Sequence, residues 1–409
     1  MLPLFFRVRT LLRHPGLAGL LASTFALGMA FSFVAPFVST WGTHEIGMRP
    51  VWFGTFMTVT ALSAIVASTT LARWSDTHVP RKIMLGIGGA SGALGYAGYA
   101  FLHDPFALLA VGATLIAFSS VCFSQLFAHV REEFSALPGA GAAPGFLTGL
   151  VRVCFSVAWT AGPAIGATLL VQHGFRGLFL GAAGLYLLFL GGVLAFVPFR
   201  PRPPHTRQAV HEPVWRVLTR GDILAVFVAF LLVFAAHAMN MMNLPLTITT
   251  VLGGTQASLG IAFGIGPLVE IPLMLWFGHL AARGRQLGLI RLGAAVTAVY
   301  FLALSLAREP WHVYPIQILS GVSFAILTNV AILFFQDLLP GRAGLATAIF
   351  SNSGSVGNLV GYFSFGVLVD TVGHRGVSLV CSGLTVVTLV LLLIYRPRPT
   401  VALAGAAPR

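Results

Sequence analysis

Two charged side chains lie inside long apolar stretches of the sequence. Arg152 lies in the stretch from residue 147 to 170, and Glu270 lies about midway through the stretch from 257 to 281. Near the centre of a bilayer, an isolated charge costs about 2.5–3.5 kcal/mol unless it finds a partner or water. A carboxylate shielded from bulk water can also take up and release a proton. Both residues are therefore candidates for proton coupling or gating.

A second set of polar side chains could bind a ligand. His237, Asn240 and Asn243 recur at three-residue intervals just before Pro245. Amides supply both the donors and the acceptors that a polar ligand needs, and an aromatic ring supplies a face on which a ligand can stack. Each amide could equally bridge two helices, and a histidine in this position is often a packing residue. The further candidates for substrate binding are Gln125, Trp159, Gln317, Asn329, Asn352 and Asn358.

The composition places these residues in a membrane protein. The chain has 409 residues, of which 57% are hydrophobic and only 9% charged, a balance that excludes a water-soluble globule. The basic residues lie in short loops between apolar stretches, which excludes a nucleic-acid-binding surface. No spacing of histidines, cysteines or acidic residues predicts a metal site, and no phosphate-binding glycine loop or catalytic cluster predicts a cofactor or an enzyme.

The hydropathy pattern predicts an all-α polytopic membrane protein with twelve transmembrane helices. A proline- and arginine-rich stretch separates the first six from the last six, which predicts an N-terminal bundle over 1–199, a cytoplasmic linker over 200–222 and a C-terminal bundle over 223–409. The predicted helices are 16–38, 51–72, 83–102, 106–127, 147–170, 177–198, 223–249, 257–281, 288–307, 313–335, 344–369 and 376–395.

Loop charges predict the orientation of the chain in the membrane. Most of the 24 lysines and arginines fall in the termini and the loops on one side of the bilayer. By the positive-inside rule that side is cytoplasmic, so both termini are expected there. Tryptophans beside the outward loops, Trp41, Trp52 and Trp311, are expected to anchor at the interface. The arginines on the outward side are Arg49, Arg176, Arg308 and Arg375.

Short internal repeats predict that the two bundles are pseudo-symmetric. The segment 35–37, with Pro36 near the end of the first helix, matches the segment 244–246, with Pro245 near the end of the seventh. The segment 174–177 (GFRG) after the fifth helix matches the segment 373–376 (GHRG) after the eleventh. Two parallel six-helix halves around a central cavity are a known arrangement for alternating access.

Two motifs resemble those of the major facilitator superfamily. Asp76 followed by Arg81 and Lys82 is similar to its signature loop after helix 2, although two glycines and one arginine of that pattern are replaced. Gly162-Pro163-x-x-Gly166 resembles its helix 5 motif. The resemblance implies the major facilitator fold. It also implies a gating role for Asp76, which could accept hydrogen bonds from a neighbouring helix N-terminus and lock the halves together on the cytoplasmic side. An ordinary solvated turn is the alternative.

A closer resemblance is to the sugar efflux transporters of that superfamily. It implies a secondary transporter that exports sugars or small glycosides by proton antiport, with sugar, protons and the lipid bilayer as partners. A multidrug/proton antiporter of the same superfamily is the alternative. The stretches that carry the resemblance are Val51–Phe56 with Ser75 and Asp76, Gln125–Ala128 with Arg131 and Glu132, Arg152–Pro163, Glu270–Pro272 and Phe335–Gly344.

In the fold that the resemblance implies, helices 5 and 8 lie against each other at the boundary between the halves. Arg152 is then the expected partner of Glu270, either as a pair that opens during the transport cycle or as a permanent structural ion pair. The expected setting is the inner membrane of a bacterium, with the protein acting as a monomer.

Overall fold

The computed structural model describes residues 15–77, 79–135, 143–199, 217–339 and 342–395. For residues 15–17, 72–73, 76–77, 130–135, 143–152 and 343 it describes the backbone alone. The side chains of Asp76, Arg131, Glu132 and Arg152, and most of the linker predicted over 200–222, therefore lie outside the described part. The division into three segments stays a prediction.

Within the described residues the chain forms twelve membrane-length helices. Eight continuous helical stretches are apolar and long enough to cross a bilayer; three of them contain two helices each, and α3 is a further helix. The helices are α1 Pro15–Val34 with short turns to Glu45, α2 Pro50–Thr77, α3 Arg81–Phe101, α4 in short pieces from Pro105 to Ser135, α5 and α6 within Ala143–Phe196, α7 Gly221–Leu246 with a turn to Val251, α8 Gln256–Leu280, α9 Gln286–Leu306, α10 in pieces from Pro310 to Leu338, and α11 and α12 within Ala343–Ile394.

In three places two helices follow each other directly, with a glycine at the kink between them. Gly174 divides α5 from α6 with φ 66°, and Gly373 divides α11 from α12 with φ 67°. Gly284, with φ 78°, lies in the turn between α8 and α9. A residue with a Cβ adopts such a positive φ only at a cost in free energy, whereas glycine adopts it without that cost. Because Gly174 and Gly373 are the first residues of the two matching segments GFRG and GHRG, the structure confirms a repeat at this position.

We call the end of the bundle where α1 begins and α12 ends the terminal end, and the opposite end the distal end. At the terminal end a cation at the start of a helix pairs with the last carbonyls of another in both halves. Lys82 of α3 donates to the Leu194 carbonyl of α6 (2.8 Å), and Arg291 of α9 donates to the Leu392 carbonyl of α12 (3.0 Å). Carbonyls at a helix C-terminus lack helical partners, so these bonds satisfy them.

At the distal end, too, equivalent cations of the two halves make equivalent contacts. Arg176, in the turn between α5 and α6, lies 4.6 Å over the Phe101 ring at the end of α3. Arg375, in the turn between α11 and α12, donates to the Ala307 carbonyl at the end of α9 (3.1 Å). Both halves therefore use an arginine of the equivalent turn to hold the equivalent helix end.

The two halves meet closely at the distal end. A Cβ on Gly54 of α2 would lie 2.8 Å from the Gly366 Cα and the Tyr362 carbonyl oxygen of α11, and a Cβ on Gly366 would lie 2.7 Å from the Pro50 carbonyl oxygen. Backbones approach this closely because glycine has no side chain. The contact closes the space between the halves at this end.

Buried apolar side chains show where the halves part. One cluster runs from the first six helices into the distal part of the last six, for example from Phe53 to Phe365. The terminal part of the last six helices has a separate cluster, which includes Phe230 and Phe335. The halves therefore share a core at the distal end and pack separately at the terminal end.

The prediction that Trp41 is an interface anchor is wrong. The first helix continues past the predicted end at residue 38, through a tight turn at Pro36, to Glu45. Trp41 is consequently 1% exposed and packs among Phe56, Tyr99 and Phe179. The hydropathy pattern placed it beside a loop because a proline near a helix end usually marks the boundary.

Substitution of Gly366 by valine should open the distal end. Overpacking a close contact costs about 1–3 kcal/mol, and this cost falls on the closed state alone. Double electron–electron resonance between spin labels at Arg49→Cys and Thr371→Cys, with the three native cysteines replaced, should report a longer distance in Gly366→Val. The matched control is Gly184→Val in α6, where a Cβ meets open space; an unchanged distance in Gly366→Val, or an equal change in the control, would contradict the closure.

Candidate functional site

A cavity of about 300 Å³ lies between the two halves. It is within the size range of small-molecule sites, which usually combine apolar walls with a few polar groups. Five predicted residues line it together: Trp159, His237, Asn240, Glu270 and Gln317. The other lining residues are Phe155, Ser156, Met241, Leu244, Phe263, Gly266, Pro267, Tyr300, Ser320 and Phe324.

Close packing of α5 against α8 builds one wall of the cavity. A Cβ on Gly260 would lie 2.9 Å from the Pro163 carbonyl oxygen, and one on Gly264 would lie 2.9 Å from the Thr160 carbonyl oxygen. The sequence positions run in opposite directions, so the two helices are antiparallel. Continued in that register, the turn of α5 before Trp159 lies beside the turn of α8 that carries Glu270, and residues of both turns line the cavity.

The motif Gly162-Pro163-x-x-Gly166 holds α5 against α1. A Cβ on Gly166 would lie 2.7 Å from the Phe33 carbonyl oxygen, and Ser32 donates a hydrogen bond to the Ala158 carbonyl (3.0 Å). Close approach through glycine therefore fixes the helix that presents Trp159.

A tyrosine from α9 joins two amides from other helices. The Tyr300 Oη atom accepts hydrogen bonds from Asn240 Nδ2 of α7 (3.1 Å) and from Gln317 Nε2 of α10 (3.3 Å). All three side chains are less than 10% exposed. The network links three helices and fixes the rotamers of two of the predicted ligand-binding amides.

Two polar atoms in the cavity wall have no partner among the described residues. They are His237 Nε2 and Asn240 Oδ1, both buried. The His237 ring packs against Phe324 with the ring centroids 4.5 Å apart. Burying a polar atom without a hydrogen bond is unfavourable, and a bound ligand or water can remove that cost. These two atoms are therefore the ones that a polar ligand would satisfy.

Two predicted residues serve other contacts. Asn243 is 1% exposed and lies outside the cavity lining: its Nδ2 donates to the His374 carbonyl (3.0 Å), and its Oδ1 lies 2.8 Å from His374 Nδ1. Gln125 accepts hydrogen bonds from Ser75 (3.0 Å) and Arg81 (2.7 Å). Asn243 thus joins α7 to the turn between α11 and α12, and Gln125 joins α4 to α2 and α3.

The remaining predicted amides also lie outside the described cavity lining. Asn329 donates to the Ala325 carbonyl of its own helix (3.3 Å). Asn352 is exposed and Asn358 is half-buried, both on α11. Their residue type and their position in predicted helices suggested these residues, and neither shows which polar positions on a helix point inward.

Tyr300 and Ser320 are cavity residues that the sequence did not suggest. Tyr300 lies in an otherwise apolar helix, and a single tyrosine there is as typical of a packing residue as of a ligand contact. Ser320 lies three residues after Gln317 on α10 and so shares its helix face. That spacing was a usable signal for Ser320; Tyr300 has none in the sequence.

Comparison with known proteins identifies the family. The sequence profile described as the Major Facilitator Superfamily matches residues 20–361 and 226–409. The chain belongs to the major facilitator superfamily. A Deinococcus radiodurans protein assigned as a sugar efflux transporter is 33% identical over 95% of this chain and all of its own length. Sugar efflux transporter A of Escherichia coli is 28% identical over 91% of this chain and 94% of its own.

Solved structures match the fold as well. The crystal structure of the nucleoside transporter NupG superposes with a TM-score of 0.78 and 14% sequence identity, and covers 93% of this chain and 99% of its own. The family match and this superposition confirm the twelve-helix fold of two pseudo-symmetric halves and the multi-pass membrane setting. The relatives confirm the resemblance to the sugar efflux transporters.

Asn243→Ala should destabilise the protein more than Asn240→Ala. Loss of the Asn243 amide removes its contacts with the His374 carbonyl, the His374 ring and the Ser378 hydroxyl, which costs about 1–3 kcal/mol. Asn240→Ala removes one hydrogen bond together with a buried oxygen that has no partner, so its cost is smaller. Thermal unfolding of both purified variants in the same detergent tests this difference. An equal or larger loss in Asn240→Ala would show that the two amides do not differ in this way.

Proposed function

We propose that the protein is a secondary transporter that exports sugars or small glycosides by proton antiport. The observation that carries the proposal is the interhelical cavity, whose lining combines Trp159 with His237, Asn240 and Gln317; one polar atom each of His237 and Asn240 has no partner among the described residues. Hydroxyl groups of a sugar can satisfy such atoms, and the indole can stack on the apolar face of the ring. The names of the relatives support the same substrate class.

Transport would proceed by rocking the two halves about the cavity. The structure has the halves joined at the distal end through Gly54 and Gly366, which corresponds to one end state of an alternating-access cycle. The charge distribution of the loops supports a cytoplasmic terminal end in the inner membrane of a bacterium. A substrate would then enter from the cytoplasm in this state and leave after the distal contact opens.

Glu270 is our candidate for the proton-coupling group. It lines the cavity beside Phe155 and Pro267, in a predominantly apolar wall. A carboxyl group in such a wall is stable when it is protonated, or as a carboxylate when it faces a cation. Pairing with Arg152 would alternate with protonation, so that the proton and the substrate are released in different states. The ion pair, like the gating role of Asp76, remains a proposal.

Contacts around Gln125 support a gating function near Asp76. Ser75, the residue before Asp76, and Arg81 at the start of α3 both bond to Gln125. This network holds the terminal ends of α2, α3 and α4 together. We propose that Asp76, which follows Ser75 in the chain, forms a lock between the halves at this end.

The aromatic wall supports a second candidate function. Phe155, Phe263, Phe324 and Met241 form a large share of the cavity lining, and aromatic and methionine side chains adapt to varied lipophilic ligands. A multidrug/proton antiporter would use this wall in preference to the amides. Competition of lipophilic cations with sugars for binding distinguishes the two functions.

Glu270→Gln should abolish proton-driven export while it leaves substrate exchange intact. A glutamine cannot carry a proton between the two states, although it keeps the shape and the hydrogen-bonding capacity of the glutamate. The assay uses proteoliposomes with a panel of radiolabelled sugars, with and without an imposed pH gradient, and measures net transport and sugar-for-sugar exchange. The matched control is Glu309→Gln, an exposed glutamate in the loop before α10, which should behave like the parent protein.

Full gradient-driven transport in Glu270→Gln would exclude the proton role of this residue. Transport that ignores the pH gradient in the parent protein would exclude antiport altogether. Binding of lipophilic cations alone, with no sugar transported, would favour the multidrug function.

A further inference from the structure

We propose that Tyr300 is a positioning residue that makes the cavity recognise hydroxyl groups as hydrogen-bond donors. The proposal rests on the proposed sugar transport and goes beyond it, since it states which feature of a sugar is recognised. Its basis is the geometry of three side chains from α7, α9 and α10. Tyr300 is less than 2% exposed, and no other side chain of α9 lines the cavity among the described residues.

Two amides bond to the same tyrosine oxygen. Each amide group of Asn240 and Gln317 directs its NH2 to the same oxygen, Tyr300 Oη, at 3.1 and 3.3 Å. Each amide nitrogen is therefore engaged inside the wall by the tyrosine, and the amide oxygens are the atoms left for other partners.

The oxygens of the two amides lie away from other described hydrogen-bond donors or beside the cavity wall. Asn240 Oδ1 is buried and has no hydrogen-bond partner among the described residues. Gln317 Oε1 faces α8, at 3.9 Å from the position that a Cβ on Gly266 would take, and Gly266 lines the cavity. The nitrogen of each amide thus bonds to the tyrosine, whereas the Asn240 oxygen remains a buried acceptor that a donor group of a ligand could satisfy.

The tyrosine oxygen itself is not available to a ligand. It accepts from both amides, and Tyr300 is almost completely buried. The acceptor that this network leaves without a partner is the Asn240 oxygen, on a residue that lines the cavity.

A buried acceptor in a cavity wall discriminates between chemically similar ligands. A sugar hydroxyl donates a hydrogen bond, whereas a fluorine in the same place only accepts one and a hydrogen does neither. A ligand that cannot donate leaves the buried acceptor unpaired, and that loss is the strongest form of polar specificity. The cavity should therefore reject a deoxyfluoro sugar as strongly as the corresponding deoxy sugar.

The test is a binding series with the full-length protein in lipid nanodiscs, measured by calorimetry. The parent ligands are methyl glucoside and methyl galactoside; the analogues are their monodeoxy and monodeoxyfluoro forms at each ring position. We expect at least one position at which both analogues bind about tenfold more weakly than the parent, the change that one unpaired buried polar group produces.

The variant arm tests the role of Tyr300. In Tyr300→Phe the amides are released and can turn their NH2 groups to the ligand, so the fluoro analogue should come within about twofold of the parent at that position. The control is Tyr314→Phe on α10, outside the described cavity lining, which should keep the discrimination. If Tyr300→Phe does not fold, the series on the parent protein still decides whether the site recognises donors.

The possible results distinguish failure of this inference from failure of the proposed sugar transport. Fluoro analogues that bind as tightly as the parent at every position overturn the donor-reading site and leave the proposed sugar transport standing. Discrimination that persists in Tyr300→Phe overturns the role of the tyrosine. Failure of both parent glycosides to bind contradicts the proposed function, and this inference with it.

Discussion

A polar atom in the interior of a membrane protein must be paired, because neither lipid nor packed side chains replace the water it has left. In the described part of this chain nearly every buried hydroxyl is paired, commonly with a carbonyl of the preceding turn, as Thr24 and Thr297 are. Six buried side-chain atoms have no partner there. Two of them, on His237 and Asn240, lie on one helix face in the interhelical cavity. Two of the six unpaired atoms thus lie where a ligand could bind.

The second constraint is how close two helices can come. Without a hydrophobic force between helices in lipid, association depends on backbone approach through small residues. Here glycines bring α2 to α11 and α5 to α8 at the distal end. Contacts that depend on the absence of a Cβ have little tolerance, so they are suited to be either fully made or fully lost. These glycine contacts close the distal end. At the terminal end the apolar cores of the two halves are separate, so the halves can move apart there.

Much of the architecture could be predicted from the sequence. Helix number and approximate bounds follow from hydropathy because each span must be long and apolar, and the repeat at Gly174 and Gly373 follows from a turn that only glycine makes easily. The continuation of α1 to Trp41 could not, since Pro36 gives the same signal for a bend as for an end. The composition of the cavity was predictable in part: His237 and Asn240 share a helix face, but Asn243, on the same spacing, is used to hold a turn.

Tyr300 shows why the rest of the site could not be predicted. A side chain acquires its role from the groups that packing brings to it, and the partners of Tyr300 come from positions 60 residues before it and 17 after it. In the sequence it is an aromatic residue in an apolar helix. In the fold its oxygen receives two amides, and that one contact decides whether they offer donors or acceptors to the cavity. Chemical selectivity can therefore be set by a residue whose own polar atom is spent inside the wall, since orienting a neighbour's dipole changes what the ligand meets as surely as touching the ligand does.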